Sequence, residues 1–399
     1  TDHDLGRYEG RAAVVGDPRI SGADRDDGGG EGIARVVLRI DGRRYESWVR
    51  GDLAAAVGEW RGCDRVHVRG ERMLLDRERA VRVAWQHVVG RFRFDPPTGR
   101  DGNRRAAAPG SPVDRASNAV RAGVERGASV LPEPDDALFR GLVIGDRRGQ
   151  PDDMVERFRS SGLSHLTVVS GLNVALLLAV AAPLLRRTRP VVRWVLTLLL
   201  VAWFASLTRF EPSIVRAAAM AAFSATAYLT GRERAPARLL GLAVVALLLV
   251  DPLLAHAAGF WLSVGATAGV CTIGPWLADR LPGPRALVAP FSITVGAQVG
   301  VAPPLIAVFG HLPLVSVPAN LVAVPVASLV KLYGLPASLV AGWVPSLAAP
   351  LMLPCRFGVR WVDLVAGRAA ALEPGGPWPW IGWSGLVAVI GVAVALHRR

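Results

Sequence analysis

The chain has 399 residues, 51% hydrophobic and 20% charged, and its 46 basic and 33 acidic residues leave a formal charge of +13. That apolar share is high for a soluble protein, and three widely spaced cysteines (Cys63, Cys271, Cys355) exclude a disulfide framework or a CxxC metal knuckle. The charge is uneven: residues 1–140 hold 25 arginines against 23 acids, residues 141–399 hold 21 basic residues against 10 acids, and Lys331 is the one lysine. A cationic, apolar half is what the positive-inside bias of membrane proteins produces; a nucleic-acid-binding surface is the other common source of excess arginine.

The chain starts at Thr1 without an initiator methionine or a signal peptide, which predicts an internal start within a longer protein. Residues 1–94 read as a small β domain. "RYEGRAAVVGD" and "ARVVLRIDGRRYESWVRGD" alternate apolar and polar residues, and Asp41-Gly42 is a two-residue hairpin turn. "DRVHVRGERMLL" and "RVAWQHVVGRFRF" supply further strands, and "SGADRDDGGGEG" (21–32) is a flexible loop. About five short strands suit a small barrel such as an OB-fold, with a small β-sandwich as the alternative. His3 and Asp4 read as disordered rather than as metal ligands. Residues 95–165 form a linker and helical segment: "DPPTGRDGNRRAAAPGSP" (95–112), then a helix with Ser111 as N-cap and Pro112 at its first position. Val113, Ala116, Val120 and Val124 share one face of that helix and Arg115, Arg121 and Arg126 lie elsewhere, which fits a membrane-surface helix or a soluble connector.

Residues 166–399 are a series of hydrophobic spans, at 166–185, 191–208, 212–230, 239–257, 259–278 and 286–309. A proline-broken region (312–345), a weaker amphipathic stretch (347–372) and a last span (380–396) follow, about eight transmembrane helices in all. The fold class is therefore a polytopic α-helical membrane protein with an N-terminal OB-like barrel. The arginine loops at 186–189, 231–238 and 279–285 alternate with nearly neutral turns, so the positive-inside rule assigns them to the cytoplasm and the β domain to the outside.

Polar residues gather at the outer helix ends on this orientation. "SGLSHLTVVSGLNVALLLAV" (161–180) carries His165, Ser170, Gly171 and Asn173 no more than about 10 Å deep at 1.5 Å per residue. "FEPSIVRAAA" (210–219) carries Ser213 and Arg216, "GFWLSVGATAG" (259–269) carries Phe260 and Ser263, and "HLPLVSVPANLVAVP" (311–325) carries Asn320 between two prolines. Taken singly these are snorkelling or small-residue packing; their shared side predicts a polar cavity open to the outside. Enzyme motifs are absent: no HxHxDH, HExxH, GxSxG or P-loop, so no catalytic, cofactor or metal site is expected. A Ser170–His165 nucleophile pair is disfavoured, because i and i+5 on a helix point about 140° apart.

"LFRGLVIGDRRGQPDDMVERFRSSGLSHLTVVSGLNVAL" (138–176), with "PSIVRAAAM" (212–220), "DPLLAHAAGFWLSVGATAG" (251–269) and "PANLVAVP" (318–325), resembles the ComEC/Rec-type competence family of inner-membrane DNA importers. "WRGCDRVHVRGE" (60–71) is similar to a strand of that family's exposed OB-like domain, a weaker match. The resemblance implies that the outer domain contacts DNA and the helical domain passes one strand across the bacterial cytoplasmic membrane. It also implies a DNA receptor and a cytoplasmic helicase as partners, and it singles out Gly145, Asp146 and Arg147 as a motif of the family type. A metallo-β-lactamase-like nuclease domain, present in many members, is not part of this sequence, and Asn173 stands where many members have histidine. In the β domain, Tyr45, Trp48, Arg50 and Trp85 are candidates for contact with single-stranded DNA, with a mostly core position expected for Trp60 and Trp85. The lipid bilayer is the other expected partner, and a homo-oligomer is left open. The competing readings are a secondary transporter of a small solute, which needs paired broken helices, and a membrane scaffold whose β domain docks a partner.

Overall fold

The structure, a computed structural model, describes residues 5–21, 32–95, 105–106, 111–376 and 378–397. His3, Asp4, most of the loop at 21–32 and most of the linker at 95–112 lie outside the described residues.

Strands β1 (Gly6–Val14), β2 (Arg19–Ser21), β3 (Ile33–Ile40), β4 (Arg43–Arg50), β5 (Arg65–Leu74), β6 (Val88–Phe94) and β7 (Arg105–Ala106) make one sheet. β1 pairs with both β3 and β5, so the order β1-β3-β4-β6-β5 returns on itself and closes a five-stranded barrel. Alternation drives the closure. Val36, Leu38 and Ile40 of β3 and Val66 and Val68 of β5 point inward with Tyr45, Val49 and Phe92, and the polar residues between them face out. Asp41 and Gly42 both have positive φ (49° and 80°), as a two-residue hairpin turn requires. The sequence reading is silent in one place and fails in another. The β4–β5 connection holds a short helix, α1 (Asp52–Gly58), and the expected strand at 82–94 starts only at Val88. Before it come α2 (Arg77–Val83), capped by Asp76 onto the Arg79 amide, and a 3-10 turn (Ala84–Gln86).

The remainder is helical: α3 (Pro112–Ala128), α4 (Asp135–Ile144), α5 (Asp152–Ser160), α6 (Gly171–Leu185), α7 (Pro190–Leu207), α8 (Pro212–Leu229), α9 (Pro236–Val250), α10 (Ala258–Cys271), α11 (Ile273–Ala278), α12 (Arg285–Phe309), α13 (Ser316–Trp343), α14 (Ala348–Leu372) and α15 (Trp378–His397). Among the described residues, five segments are long and apolar enough to cross a bilayer: Pro190–Leu207, Ala258–Ala278, Arg285–Phe309, Ser316–Trp343 and Trp378–Ala395. The sequence reading has about eight. The spans read at 166–185 and 239–257 are realised as α6 and α9, 15 residues each. Such a helix is about 22 Å long, short of a hydrocarbon layer of about 30 Å. The region at 312–345, expected to be broken, is one 28-residue helix with Pro325 and Pro336 inside it. α3, α4 and α14 flank that helix, and such neighbours let a buried helix tolerate proline. The break falls instead at Thr272, between α10 and α11.

Small residues let the helices approach. Gly265 and Gly269 of α10 face Gly300 and Gly296 of α12 so closely that a Cβ on Gly269 would sit 1.9 Å from the Gly296 carbonyl oxygen. α3, α4 and α5 share one apolar core with α13 and α14, built from Val124, Phe139, Leu142 and Phe158 against Ala323, Met352 and Val359. The apolar face expected for α3 is only partly the buried one: Val113 and Ala116 are exposed, whereas Ser117, Asn118 and Arg121 are buried with Val124. The reason lies across the helix, where α3 meets the barrel and a set of polar partners.

Candidate functional site

α6 begins at Gly171, where the chain leaves a 3-10 turn (Ser164–Leu166) and Ser170 takes the N-cap position. Around this point three other helices bring polar side chains. Ser213 of α8 donates to the Val169 carbonyl at 2.7 Å and so ties α8 to the start of α6. Arg216, one turn further along α8 and 4% exposed, donates from Nε to Ser263 Oγ of α10 at 2.9 Å and from Nη1 to Met220 Sδ at 3.0 Å. A Cβ on Gly171 would lie 2.8 Å from Arg216 Nη2, so glycine there leaves room for the guanidinium. On the other side of α6, Asn173 accepts from Lys331 Nζ of α13 at 3.4 Å and from Ser170 Oγ at 3.5 Å. Lys331 is 7% exposed. Arg216 and Lys331 are thus two buried cations flanking the first turn of α6, and among the described residues neither makes an ion pair with a carboxylate.

Of the residues expected to line a pathway, Ser170, Gly171, Asn173, Ser213, Arg216 and Ser263 come together here. Three do not join this hydrogen-bonded group. His165 lies in the 3-10 turn with Nδ1 against the Gly162 carbonyl at 3.2 Å. Asn320 donates to the Ser316 carbonyl of its own helix at 2.7 Å and stands 11 residues before Lys331, about 16 Å along the axis. Phe260 is fully buried, edge-on to Trp261. Sequence reasoning missed Lys331, although its being the one lysine, placed in an apolar run, was a visible signal.

A second polar centre joins the barrel to the helices. Arg121 of α3 donates to the Ile144 and Leu207 carbonyls at 3.2 Å each and pairs with Asp17, from the β1–β2 connection. Arg209, just after α7, reaches the same carboxylate at 3.3 Å. Burial alone would push the Asp17 carboxyl up; the Arg121 and Arg209 guanidiniums outweigh it and hold it below the usual carboxylate range. The Gly145-Asp146-Arg147 motif adjoins this seam. Gly145 ends α4 in the left-handed region at φ 70°, and buried Asp146 takes Arg148 at 2.7 Å and Arg140 at 3.4 Å. Burial opposes ionisation of Asp146, but the Arg148 hydrogen bond and the guanidiniums of Arg148, Arg121 and Arg140 hold its carboxyl well below the usual range. Arg147 is exposed.

The β-domain candidates divide. Tyr45 is 2% exposed within the barrel core, which removes it as a surface contact. Trp48 is 40% exposed, with the guanidiniums of Arg35 and Arg79 at 5.8 and 5.3 Å from its ring centre. Both arginines also bind buried Glu46. Arg50 is exposed, Trp85 half-buried, and Trp60 buried at 2%.

Residues 142–399 match the family model described as Competence protein. Among curated proteins, "Uncharacterized protein YcaI" of Escherichia coli (strain K12) is 27% identical over 215 residues, 51% of this chain and 28% of that protein. "ComE operon protein 3" of Bacillus subtilis (strain 168) is 28% identical over 209 residues, 52% of this chain and 26% of that protein. The matched region is about a quarter of the length of either relative. No solved structure matches. The family model covers well over half of the chain, and the chain belongs to the Competence protein family.

Proposed function

We propose that this chain passes single-stranded DNA across the cytoplasmic membrane during natural transformation, and that the start of α6 lines the pathway. The observation that carries the reading is the pair of buried cations without carboxylate partners. Burying a lone charge is expensive, by several kcal/mol even after relaxation, and a fold retains it where an anion or water compensates. Phosphates of a passing strand are such anions. Asn173, Ser170 and Ser263 supply neutral hydrogen bonds on which a strand can slide without being trapped. Membership of a competence family and similarity to a ComE operon protein agree with DNA as the cargo. α6, α8 and α9 then lie at membrane depth with the five segments long and apolar enough to span, an eight-span arrangement in which the two 15-residue helices and α8 border a pathway rather than lipid alone.

The orientation has its own support. The barrel touches the helices near Arg209, Glu211 and Asp251, whereas the arginine loops at 186–189 and 231–238 sit at the opposite ends of α7, α8 and α9. With those loops cytoplasmic, the barrel is outside. Cysteines introduced at Gly29 and Arg187 test it with an impermeant reagent: Gly29 should label in intact cells and Arg187 should not, and the reverse overturns the orientation.

Arg216→Leu tests the pathway. Uptake of DNA into the cytoplasm should be lost while protein level and membrane insertion stay normal. Arg216→Lys should keep part of the function if charge alone matters and lose it if the guanidinium fork is required. Normal transformation in Arg216→Leu removes the assignment, and loss of the protein itself makes Arg216 a packing residue.

A further inference from the structure

Between the barrel and the helix ends lies a cleft of about 1050 Å³. Arg39 of β3, Arg65 of β5 and Trp85 of the 3-10 turn form one wall, and Arg147 and Phe210 stand on the other. Val169 and Val215 also line it, and each immediately precedes a member of the cation cluster, Ser170 and Arg216. The cleft therefore ends beside the start of α6, with Arg216 and Lys331 behind its wall and not in its lining. Resting on the DNA-transport reading, we infer that this cleft binds the incoming single strand, with phosphates on Arg39, Arg65 and Arg147 and bases stacked on Phe210 and Trp85.

Charge is the first argument. The acids of the cleft are mostly engaged: Asp17 and Asp146 by the arginines described above, Asp251 by His87 Nε2 at 3.0 Å, and Glu211 by Arg19 at 3.9 Å. Asp114 and Asp152 stand in the first turns of α3 and α5, where a carboxylate complements the helix N-terminus. Among the described residues Arg39, Arg65 and Arg147 are exposed and make no ion pair. Arg147 is presented by its neighbour, since Asp146 also accepts from the Arg148 backbone amide at 3.1 Å and fixes the turn that carries the Arg147 side chain outward.

Phe210 is the second. It is 62% exposed, and it follows Arg209 in a run of two non-glycine residues in the left-handed region, at φ 59° and 53°. Side chains with a Cβ rarely adopt that conformation, and its cost must be offset elsewhere. The Asp17 and Asn118 contacts account for Arg209. The turn closes the end of α7, where the Phe210 amide donates to the Ala205 carbonyl at 2.8 Å and the Arg209 amide to the Ser206 carbonyl at 3.1 Å, and this cap leaves the Phe210 ring out beside unpaired arginines. Bases stack on such rings while arginines track the backbone, the combination by which single strands are held without sequence preference. A lipid surface also engages cations and rings together, and the bicelle arm of the test separates it from a single strand.

The test uses the full chain in detergent and a fluorescein-labelled oligo-dT of about a dozen nucleotides, within the roughly 4–16 nucleotide site sizes of OB domains. Phe210→Asn keeps a residue that tolerates positive φ and removes the ring. It should weaken binding about tenfold, while Phe210→Tyr binds as the parent does. Arg147→Gln should lower the slope of log affinity against log salt by about 0.7, one phosphate contact on a single strand. If either variant fails to fold, Arg39→Gln on the barrel wall reads the same slope. Unchanged affinity and slope in these variants overturn the inference. Bicelles containing phosphatidylglycerol separate the other source of phosphate: lipid association lost in Arg147→Gln with oligo-dT binding intact makes the cleft a lipid site, which also overturns it. Because the readout is binding, either failure leaves the transport reading standing, to be judged by Arg216→Leu in transformation.

Discussion

Arginine is buried in two regions of this molecule on opposite terms. In the seam between barrel and helices, Arg121, Arg148 and Arg209 each meet a carboxylate, Asp17 or Asp146. At the start of α6, Arg216 and Lys331 are as inaccessible as Arg121, and among the described residues they bond to Ser263, Met220 and Asn173 and to no carboxylate. A satisfied pair holds two domains in register and has no valence left for a ligand. A cation with neutral partners keeps its charge for something that is not part of the chain. On the proposed reading the contrast separates joinery from function without any appeal to exposure, which is low in both places.

Cutting one carboxylate should produce the largest effect. Asp17→Ala leaves Arg121 buried beside two carbonyls without its paired carboxylate, Asp146 acting on it only at longer range, and breaking a buried pair from one side costs about 3–5 kcal/mol. Thermal unfolding in detergent should show a correspondingly lower midpoint, and a midpoint equal to that of the parent would mean that the seam carries no such weight.

Removing a cation from the other region should act in the opposite sense. Lys331→Met replaces a lone buried ammonium by an apolar chain of similar length and should stabilise the protein by roughly 1 kcal/mol or more, while DNA uptake falls. Destabilisation by this substitution would place Lys331 with the structural cations and dissolve the comparison.

Acid gives the smallest and most graded distinction. The Asp17 and Asp146 carboxyls are held below their unfolded value of about 3.9, so their stabilisation is complete at neutral pH. It persists to about pH 4 and drains away as pH falls through the lower folded values. Melting followed from pH 7 downward should be flat to that point and then decline, and Asp146→Asn should decline less steeply. An equal acid limb in that variant would assign the loss to other groups.

Much of this was legible in the sequence. Period-two alternation and Asp41-Gly42 specify the barrel strands, because a strand with one dry face has one register that buries it. Length and hydropathy located the apolar helices, with limits that the structure shifts by only a few residues at α7, α8, α12 and α15, five segments being long and apolar enough to cross a bilayer. The polar residues at the helix starts could be named, since a polar group in an apolar run stands out. Tertiary structure alone decided what those residues meet. That Arg121 turns inward while Val113 and Ala116 face out follows from Asp17, a residue about a hundred positions away, brought opposite α3 by the closed barrel. That Tyr45 is core and Phe210 is exposed follows from which side of a curved sheet and which end of a helix each occupies. Lys331 and Asn173 are 158 residues apart, and their contact depends on α13 passing the start of α6. Local physical chemistry, propensity and periodicity, is written along the chain; the pairing of charges is a property of distances between elements, and those exist only once the chain has folded.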